Sequence, residues 1–316
     1  MATAADSTPA DTAAAAAREA GREKSAAALS SVFAAVVLTV LKGVVGVLTG
    51  SLGILAEALH SALDLVAALT TWVAVRAADR PADRNHPYGH GKIENLSALF
   101  ETLLLLVTVV WIVWESVQRL LNPGVHVEVT WWAFAVMGIS IAVDVSRSRR
   151  LAAVARKYRS QALEADALHF RTDIWSSCVV ILGLGQVVLA RAVPQLSFLE
   201  HGDSMAALAV AAIVAMVSLR LGWRALQALL DASPRGGECE AIEQQAAALA
   251  GVVDAHDIRI RSSGGTWFVD MHVTVDGDLT VRRSHAMTEE IEELVGRILP
   301  GADVTVHVEP ADGDGG

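Results

Sequence analysis

The chain has 316 residues, 53% of them hydrophobic, and a formal net charge of −10. Its mean hydropathy of +0.42 is too high for an ordinary soluble domain and indicates several membrane spans. The negative charge argues against nucleic acid as a partner. The two cysteines, Cys178 and Cys239, provide neither a disulfide framework nor a thiolate metal site.

Six apolar runs follow a polar N-terminal segment. Residues 1–24 are rich in Ala, Thr and Asp and are predicted to be a disordered tail. A helix needs about 20 apolar residues to cross a hydrocarbon core of about 30 Å. This criterion predicts a six-helix transmembrane domain over residues 25–232, with spans near 26–49, 52–76, 95–119, 127–146, 167–192 and 204–229.

Basic residues are unevenly distributed among the connecting loops. Lys and Arg are frequent before the first span and after the second and fourth, whereas the loops after the first, third and fifth carry few. The positive-inside rule therefore predicts that both termini and the even-numbered loops are cytoplasmic. The polar C-terminal region is then cytoplasmic as well.

The second and fifth spans repeat one pattern of polar residues, AEALHSALD at 56–64 and ADALHFRTD at 165–173. His60 and Asp64 are four residues apart, which places them on one helix face, and His169 and Asp173 repeat this spacing. An aspartate in the bilayer costs at least about 2.5–3.5 kcal/mol, so such groups usually mark function. The alternative is that they join helices through hydrogen bonds.

Two imidazoles and two carboxylates form an N2O2 ligand set. The carboxylates balance a divalent cation, and neutral imidazoles favour a borderline ion such as zinc over copper(I) or magnesium. Glu57 and Asp166 each lie one helical turn before the histidine, where they either support the imidazoles or relay ions. Because metal and protons compete for the same ligands, the set provides a chemical basis for proton–metal exchange.

The loop after the second span, RPADRNHPYGHGKIEN at 80–95, contains Asp83, His86 and His90. Proline and glycine make this segment a turn, so the three side chains need not follow helical spacing. The cluster is interpreted as a second metal site or an entry station for ions. A solvated polar loop with incidental histidines is the alternative.

The C-terminal region is predicted to form a small α+β domain over residues 233–310, followed by a disordered tail at 311–316. Helices are expected at 238–250 and 280–298, and strands at 255–262, 266–276 and 302–310. The order α-β-β-α-β favours an open sheet with helices on one face. Potential metal ligands are spread over this domain: His256, His272, His285, His307 and Glu309.

Together these motifs resemble the cation diffusion facilitator family of divalent-metal/proton antiporters over roughly residues 25–310. The resemblance rests on GSLGILAEALHSALD, PADRNHPYGHGKIE, HFRTD and the C-terminal pattern. It implies a six-helix membrane domain with a metallochaperone-like cytoplasmic domain, working as a homodimer in the lipid bilayer. It implies that the transport site consists of His60, Asp64, His169 and Asp173. With histidine at position 60, this site resembles that of the family's zinc-transporting branch.

The resemblance also implies roles for residues outside the transport site. Asp83, His86 and His90 match the family's loop site, and Lys92 with Asp231 matches a charge interlock that holds the dimer together near the cytoplasmic face. The potential ligands of the C-terminal domain match a binuclear site at the dimer interface. The family motif has Asp at the position of Glu309, and glutamate keeps the negative charge on a longer side chain.

The expected function is export of a divalent metal, zinc first, in exchange for protons, with regulation by metal bound to the cytoplasmic domain. Cd²⁺, Co²⁺, Fe²⁺ and Mn²⁺ are alternatives, because N2O2 chemistry does not separate them. The expected location is the bacterial inner membrane. Rival functions are a non-transporting sensor or scaffold subunit and a channel. Enzymatic activity is not expected, because the chain has no HExxH motif and the four-ligand site leaves no vacancy for a catalytic water.

Overall fold

The computed structural model describes residues 9–50, 52–121, 131–192, 202–234 and 236–311. In these residues the chain forms six long helices and then a small α+β domain. The helices are α1 (Pro9–Thr49), α2 (Leu52–Ala78), α3 (Lys92–Leu121), α4 (Trp131–Tyr158), α5 (Gln161–Ala192) and α6 (Gly202–Leu229). Each predicted span lies within one of these helices, except residues 127–130, which are outside the described residues.

Four helices of the described part of the chain are long and apolar enough to cross a membrane. The qualifying segments are Arg18–Thr49, Glu57–Ala78, Lys92–Gln118 and Leu208–Leu229, which belong to α1, α2, α3 and α6. α4 carries Asp144 and Arg147 within its apolar stretch, and α5 is not among the qualifying segments of the described residues. That α4 and α5 also span the membrane therefore stays a prediction.

The N-terminal segment is helical from Pro9, so the predicted disorder is wrong for residues 9–24. An alanine run at 13–17 favours helix, and proline suits the first helical position. The helix is also anchored, because Lys24 Nζ lies 2.5 Å from Asp79 Oδ1 and 2.9 Å from Glu94 Oε1. Residues 1–8 and 312–316 of the two predicted tails are outside the described residues.

Helix packing brings the polar faces of three helices together. α1 packs along α2, α3 along α6 and α4 along α5, and α5 also contacts α2 and α3. Many of the buried contacts involve small residues, which let helix backbones approach closely, among them Ala98, Ala165 and Ala225. This close packing places the polar side chains of α2, α3 and α5 next to one another.

The C-terminal domain has the predicted order α-β-β-α-β. It contains α7 (Glu238–Ala247), β1 (Val252–Ser263), β2 (Thr266–Val275), α8 (Val281–Ile298) and β3 (Asp303–Pro310). The strands form one sheet in the order β1-β2-β3, with β1 antiparallel and β3 parallel to β2. The parallel pairing follows from the α8 crossover between β2 and β3, because parallel neighbours cannot be joined by a tight turn.

Both helices of this domain cover the same face of the sheet. Ile242 of α7 and Ile291 and Val295 of α8 are fully buried with Ile260 and Met271 of the strands. Because strand residues alternate between the two faces, their neighbours in the strands point away from the helices. The second face of the sheet is therefore left for polar side chains.

The β1–β2 hairpin contacts the membrane domain through its tip. Gly264 N donates a hydrogen bond of 3.5 Å to Asn95 Oδ1 of α3, and a Cβ added at Gly91 would clash with the carbonyl of Ser263. Nearby, the Arg261 guanidinium lies 4.3 Å from the Tyr88 ring centroid. The hairpin thus packs against the loop between α2 and α3, which carries Asp83, His86 and His90.

Candidate metal centres

The first candidate centre lies between α2 and α5 and contains all four residues of the predicted transport site. His60 Nε2 is 3.8 Å from Asp64 Oδ1 and 3.6 Å from Asp173 Oδ1. His169 Nε2 is 3.2 Å from Asp64 Oδ1 and 3.6 Å from Asp173 Oδ2. Each imidazole therefore faces both carboxylates, one from its own helix and one from the other helix.

The four separations between imidazoles and carboxylates are in the range that a tetrahedral ion requires. Ligand atoms about 2.0–2.2 Å from a zinc ion are about 3.3–3.6 Å apart in a regular tetrahedron, which is close to the separations between the imidazoles and the carboxylates. One ligand atom from each of His60, Asp64 and Asp173 lies within 4.8 Å of the other two. Asp64, His169 and Asp173 are buried, whereas His60 is partly exposed.

Glu57 and Asp166 have partners other than the two histidines. Glu57 Oε2 lies 3.1 Å from Lys42 Nζ, which also donates a hydrogen bond to Ser61 Oγ. Asp166 accepts a 3.3 Å hydrogen bond from Ser31 Oγ, and its side chain is fully buried. These contacts tie each acid to α1.

A residue outside the predicted motifs lies beside His169. Glu101 of α3 is fully buried, and its Oε2 is 3.7 Å from His169 Nδ1. Its Oε1 accepts a 2.8 Å hydrogen bond from Thr71 Oγ1 of α2. The signal that could have identified it is an acid inside the apolar run ALFETLLLLV, the criterion that selected the aspartates of α2 and α5.

The second candidate centre is the loop cluster of Asp83, His86 and His90. His86 Nδ1 lies 3.3 Å from Asp83 Oδ1, and His90 Nε2 lies 3.5 Å from Asp83 Oδ2. The backbone N–H groups of Asn85 and His86 each donate a 2.8 Å hydrogen bond to Asp83 Oδ1. These backbone donors, that of His86 first, lower the pKa of Asp83. The carboxylate therefore both closes the turn and faces the two imidazoles.

The third candidate centre is a row of histidines across the sheet of the C-terminal domain. His256, His272 and His307 are register partners on β1, β2 and β3, on the face opposite the helices. Glu309 Oε2 lies 3.3 Å from His256 Nε2, and its Oε1 lies 3.0 Å from His272 Nδ1. His307 Nε2 is 3.7 Å from the same Oε1 atom. The longer glutamate arm thus reaches all three imidazoles.

His285 and the Lys92–Asp231 pair lie outside the three candidate centres. His285 lies on α8, where its Nε2 is 3.8 Å from Glu289 Oε1 and its side chain is largely exposed. The described contacts of His285 do not include the histidine row. Lys92 Nζ lies 2.9 Å from Asp231 Oδ1 within the same chain, which joins the start of α3 to the second residue after α6.

Apolar helices with an imidazole–carboxylate cluster between them, joined to an α+β domain with a second such cluster, define a membrane protein that handles metal cations. The chain matches the cation efflux transmembrane domain over residues 28–230 and the cytoplasmic domain of cation efflux proteins over residues 234–311. It belongs to the cation diffusion facilitator family of cation efflux proteins.

Relatives cover nearly the whole chain. The cation-efflux pump FieF of Serratia proteamaculans is 33% identical over 290 residues, which are 90% of this chain and 92% of the relative. FieF of Cronobacter sakazakii is 32% identical over 300 residues, with 92% and 94% covered. A solved structure of CzrB, a candidate zinc transporter, in its Zn form is 30% identical over 25% of this chain and 90% of that one, with a TM-score of 0.23.

Proposed function

We propose that the chain exports a divalent transition metal from the cytoplasm and that His60, Asp64, His169 and Asp173 bind the metal during transport. The observation that carries the proposal is the spacing of these groups, whose imidazole and carboxylate atoms are 3.2–3.8 Å apart across α2 and α5. This spacing suits a tetrahedral divalent ion. Membership of the cation efflux family supports the same function.

Zinc is the metal that we propose as the first substrate. Two imidazoles and two carboxylates suit a borderline ion without a strong geometric preference. Cd²⁺ and Co²⁺ share enough of this chemistry to compete with zinc for the site. Fe²⁺ and Mn²⁺ rank lower as substrates, because they favour sites with more oxygen ligands. The two aspartates neutralise the ion's charge, which lowers the cost of holding it among buried side chains.

Protons are the proposed counter-substrate. A metal ion and a proton need the same lone pairs on His60 and His169, so loading of one displaces the other. A site that alternates between the two sides of the membrane would release metal where protons are abundant and load it where they are scarce. Exchange of this kind is secondary active transport rather than an enzymatic reaction.

The proposed topology has six spans, a membrane domain over residues 25–232 and a cytoplasmic domain over residues 233–310. The distribution of Lys and Arg supports cytoplasmic termini. The FieF relatives named above come from bacteria, which supports the bacterial inner membrane as the location. On this topology the loop and sheet centres face the cytoplasm.

Regulation by cytoplasmic metal and a homodimeric state complete the proposal. Metal at His256, His272 and Glu309 would order the sheet face opposite the helices, where a second copy of the domain would dock. The β1–β2 hairpin contacts the loop between α2 and α3, so a change in the domain has a physical route to the membrane helices. The family's dimeric cytoplasmic domain supports the same assembly.

Flux measurements in proteoliposomes test the transport function. With a pH gradient across the membrane, the intact protein should move Zn²⁺ one way and protons the other, and Asp173→Ala should abolish both fluxes. Glu164→Ala is the control, because Glu164 lies on the same helix at an exposed position, paired with Arg224. It should retain the flux of the intact protein.

Three outcomes would contradict separate parts of the proposal. Zn²⁺ flux that persists in Asp173→Ala would refute the assignment of the transport site. Zn²⁺ flux without linked proton movement would favour a channel or uniporter. No flux of any metal by a well-folded dimer would favour the sensor or scaffold function.

A further inference from the structure

We propose that Glu101 is a positioning residue of the metal centre, which holds the His169 imidazole with Nδ1–H towards α3 and the Nε2 lone pair towards Asp64 and Asp173. This inference rests on the proposed function, because it assumes that the centre binds metal. Glu101 is not itself placed as a ligand, since it faces the nitrogen of His169 that points away from the other three side chains.

The two ring nitrogens of His169 face different carboxylates. Nε2 lies 3.2 Å from Asp64 Oδ1, whereas Nδ1 lies 3.7 Å from Glu101 Oε2. A neutral imidazole carries one proton, and only the nitrogen without it can bind a metal. A carboxylate beside Nδ1 favours the tautomer with the proton there, which leaves Nε2 free for the ion.

Glu101 is held in place by a contact from a third helix. Thr71 Oγ1 of α2 donates a 2.8 Å hydrogen bond to Glu101 Oε1, and both residues are fully buried. The second oxygen, Oε2, has no hydrogen-bond partner among the described residues and faces the imidazole. Thr71, Glu101 and His169 therefore form a chain of contacts from α2 through α3 to α5.

The cost of burying Glu101 is better explained by a role in the metal centre than by packing alone. A buried acid is costly unless it is paired, and one hydroxyl donor satisfies only one of the two oxygens. If Glu101 merely filled space between α2, α3 and α5, an uncharged residue of the same shape would serve as well. A positioning role predicts instead that loss of the charge alone weakens metal binding.

Cobalt binding by the full-length protein tests this role, because Co²⁺ reports ligand geometry through its visible absorption. The background carries Asp83→Ala, His86→Ala, His256→Ala and His272→Ala, which leaves the centre between α2 and α5 as the intact site. In that background Glu101→Gln should weaken Co²⁺ binding about 10–100-fold, the range for groups that orient a ligating histidine. It should also change the absorption of the ion that remains bound.

Three more variants separate positioning from packing. Glu101→Asp keeps the charge and should recover part of the affinity, and Thr71→Val should lose affinity because it releases Glu101 Oε1. Ser97→Ala is the control, since Ser97 is buried one turn earlier on α3 and its Oγ has no hydrogen-bond partner among the described residues. It should bind Co²⁺ as the background protein does.

Parent-like Co²⁺ affinity and absorption in Glu101→Gln would overturn the positioning role while leaving the metal centre intact. If Glu101→Gln fails to fold, parent-like binding by both Glu101→Asp and Thr71→Val would overturn it equally. Absence of Co²⁺ binding by the background protein, with Asp173→Ala indistinguishable from it, would overturn the proposed metal centre itself.

Discussion

His169 Nε2 lies 3.2 Å from Asp64 Oδ1, although the two residues are 105 positions apart in the chain. The contact crosses from α5 to α2 and is shorter than the separation of either residue from the histidine or aspartate one turn away on its own helix. The two HxxxD motifs thus form one cluster, in which each histidine lies beside the aspartate of the other motif. The candidate metal centre depends on this pairing across helices.

Replacing His60 by aspartate should shift metal preference. The centre would then offer one imidazole and three carboxylate groups, a set that favours harder ions. We expect Zn²⁺ flux to fall and Mn²⁺ or Fe²⁺ flux to rise relative to it, measured metal by metal in proteoliposomes under anaerobic conditions. An unchanged ratio of Zn²⁺ to Mn²⁺ flux would show that ligand type at this position does not set selectivity.

Two substitutions at Asp83 should separate its role in the turn from its role toward metal. Asp83→Asn keeps an oxygen that accepts from the N–H groups of Asn85 and His86, whereas Asp83→Ala does not. Hydrogen exchange of these two amides should speed up only in Asp83→Ala. Metal binding by the loop should weaken in both variants, because each removes the carboxylate charge. Equal amide protection in both would contradict the capping role.

The loop turn should also survive moderate acidification. The backbone donors lower the pKa of Asp83, so the charged carboxylate persists below the ordinary aspartate pKa of about 3.9. A lowered pKa contributes stability above the ordinary value, and that contribution is lost only as pH falls through the lowered one. Amide protection at residues 85 and 86 should therefore stay constant between pH 7 and 5. A decline within that window would contradict the expectation.

Gly91→Ala should displace the β1–β2 hairpin from the membrane domain. Its Cβ would clash with the Ser263 carbonyl, a backbone atom that cannot move without the strand. Hydrogen exchange at residues 262–266 should rise, and any effect of cytoplasmic Zn²⁺ on transport rate should diminish. Gly296→Ala is the control, because an added Cβ there meets no atom within 4 Å. Unaltered exchange in Gly91→Ala would refute the importance of this contact.

The Lys24 contacts should matter more for stability than a similar pair on the surface. Lys24→Met leaves Glu94, whose side chain is 1% exposed, without its cation, and such losses cost about 3–5 kcal/mol. Lys157→Met removes an exposed pair with Glu23, with side chains 56% and 40% exposed, and should cost far less because water screens the pair. The melting temperature in detergent should therefore fall much more for Lys24→Met than for Lys157→Met. A comparable fall in both variants would argue that burial does not strengthen the Lys24 network.

Local patterns in the chain were sufficient for much of the architecture. Long apolar runs predicted helices that the structure has, and alternation with turn residues predicted the order α-β-β-α-β of the C-terminal domain. The tail was predicted less well, because composition indicated disorder while an alanine run and the pairs of Lys24 favour a helix from Pro9. Composition does not reveal partners that lie 55 and 70 residues away.

The repeated HxxxD spacing by itself determined which residues share a helix face, because four residues complete one turn. Only the tertiary structure decided which groups meet across helices. In the folded chain Glu101 lies beside His169, and His285 lies outside the histidine row. Glu57 contacts Lys42, and Asp166 accepts a hydrogen bond from Ser31. The reason is physical: periodicity fixes direction around one helix axis, whereas contacts between helices depend on the packing of small residues along their whole length.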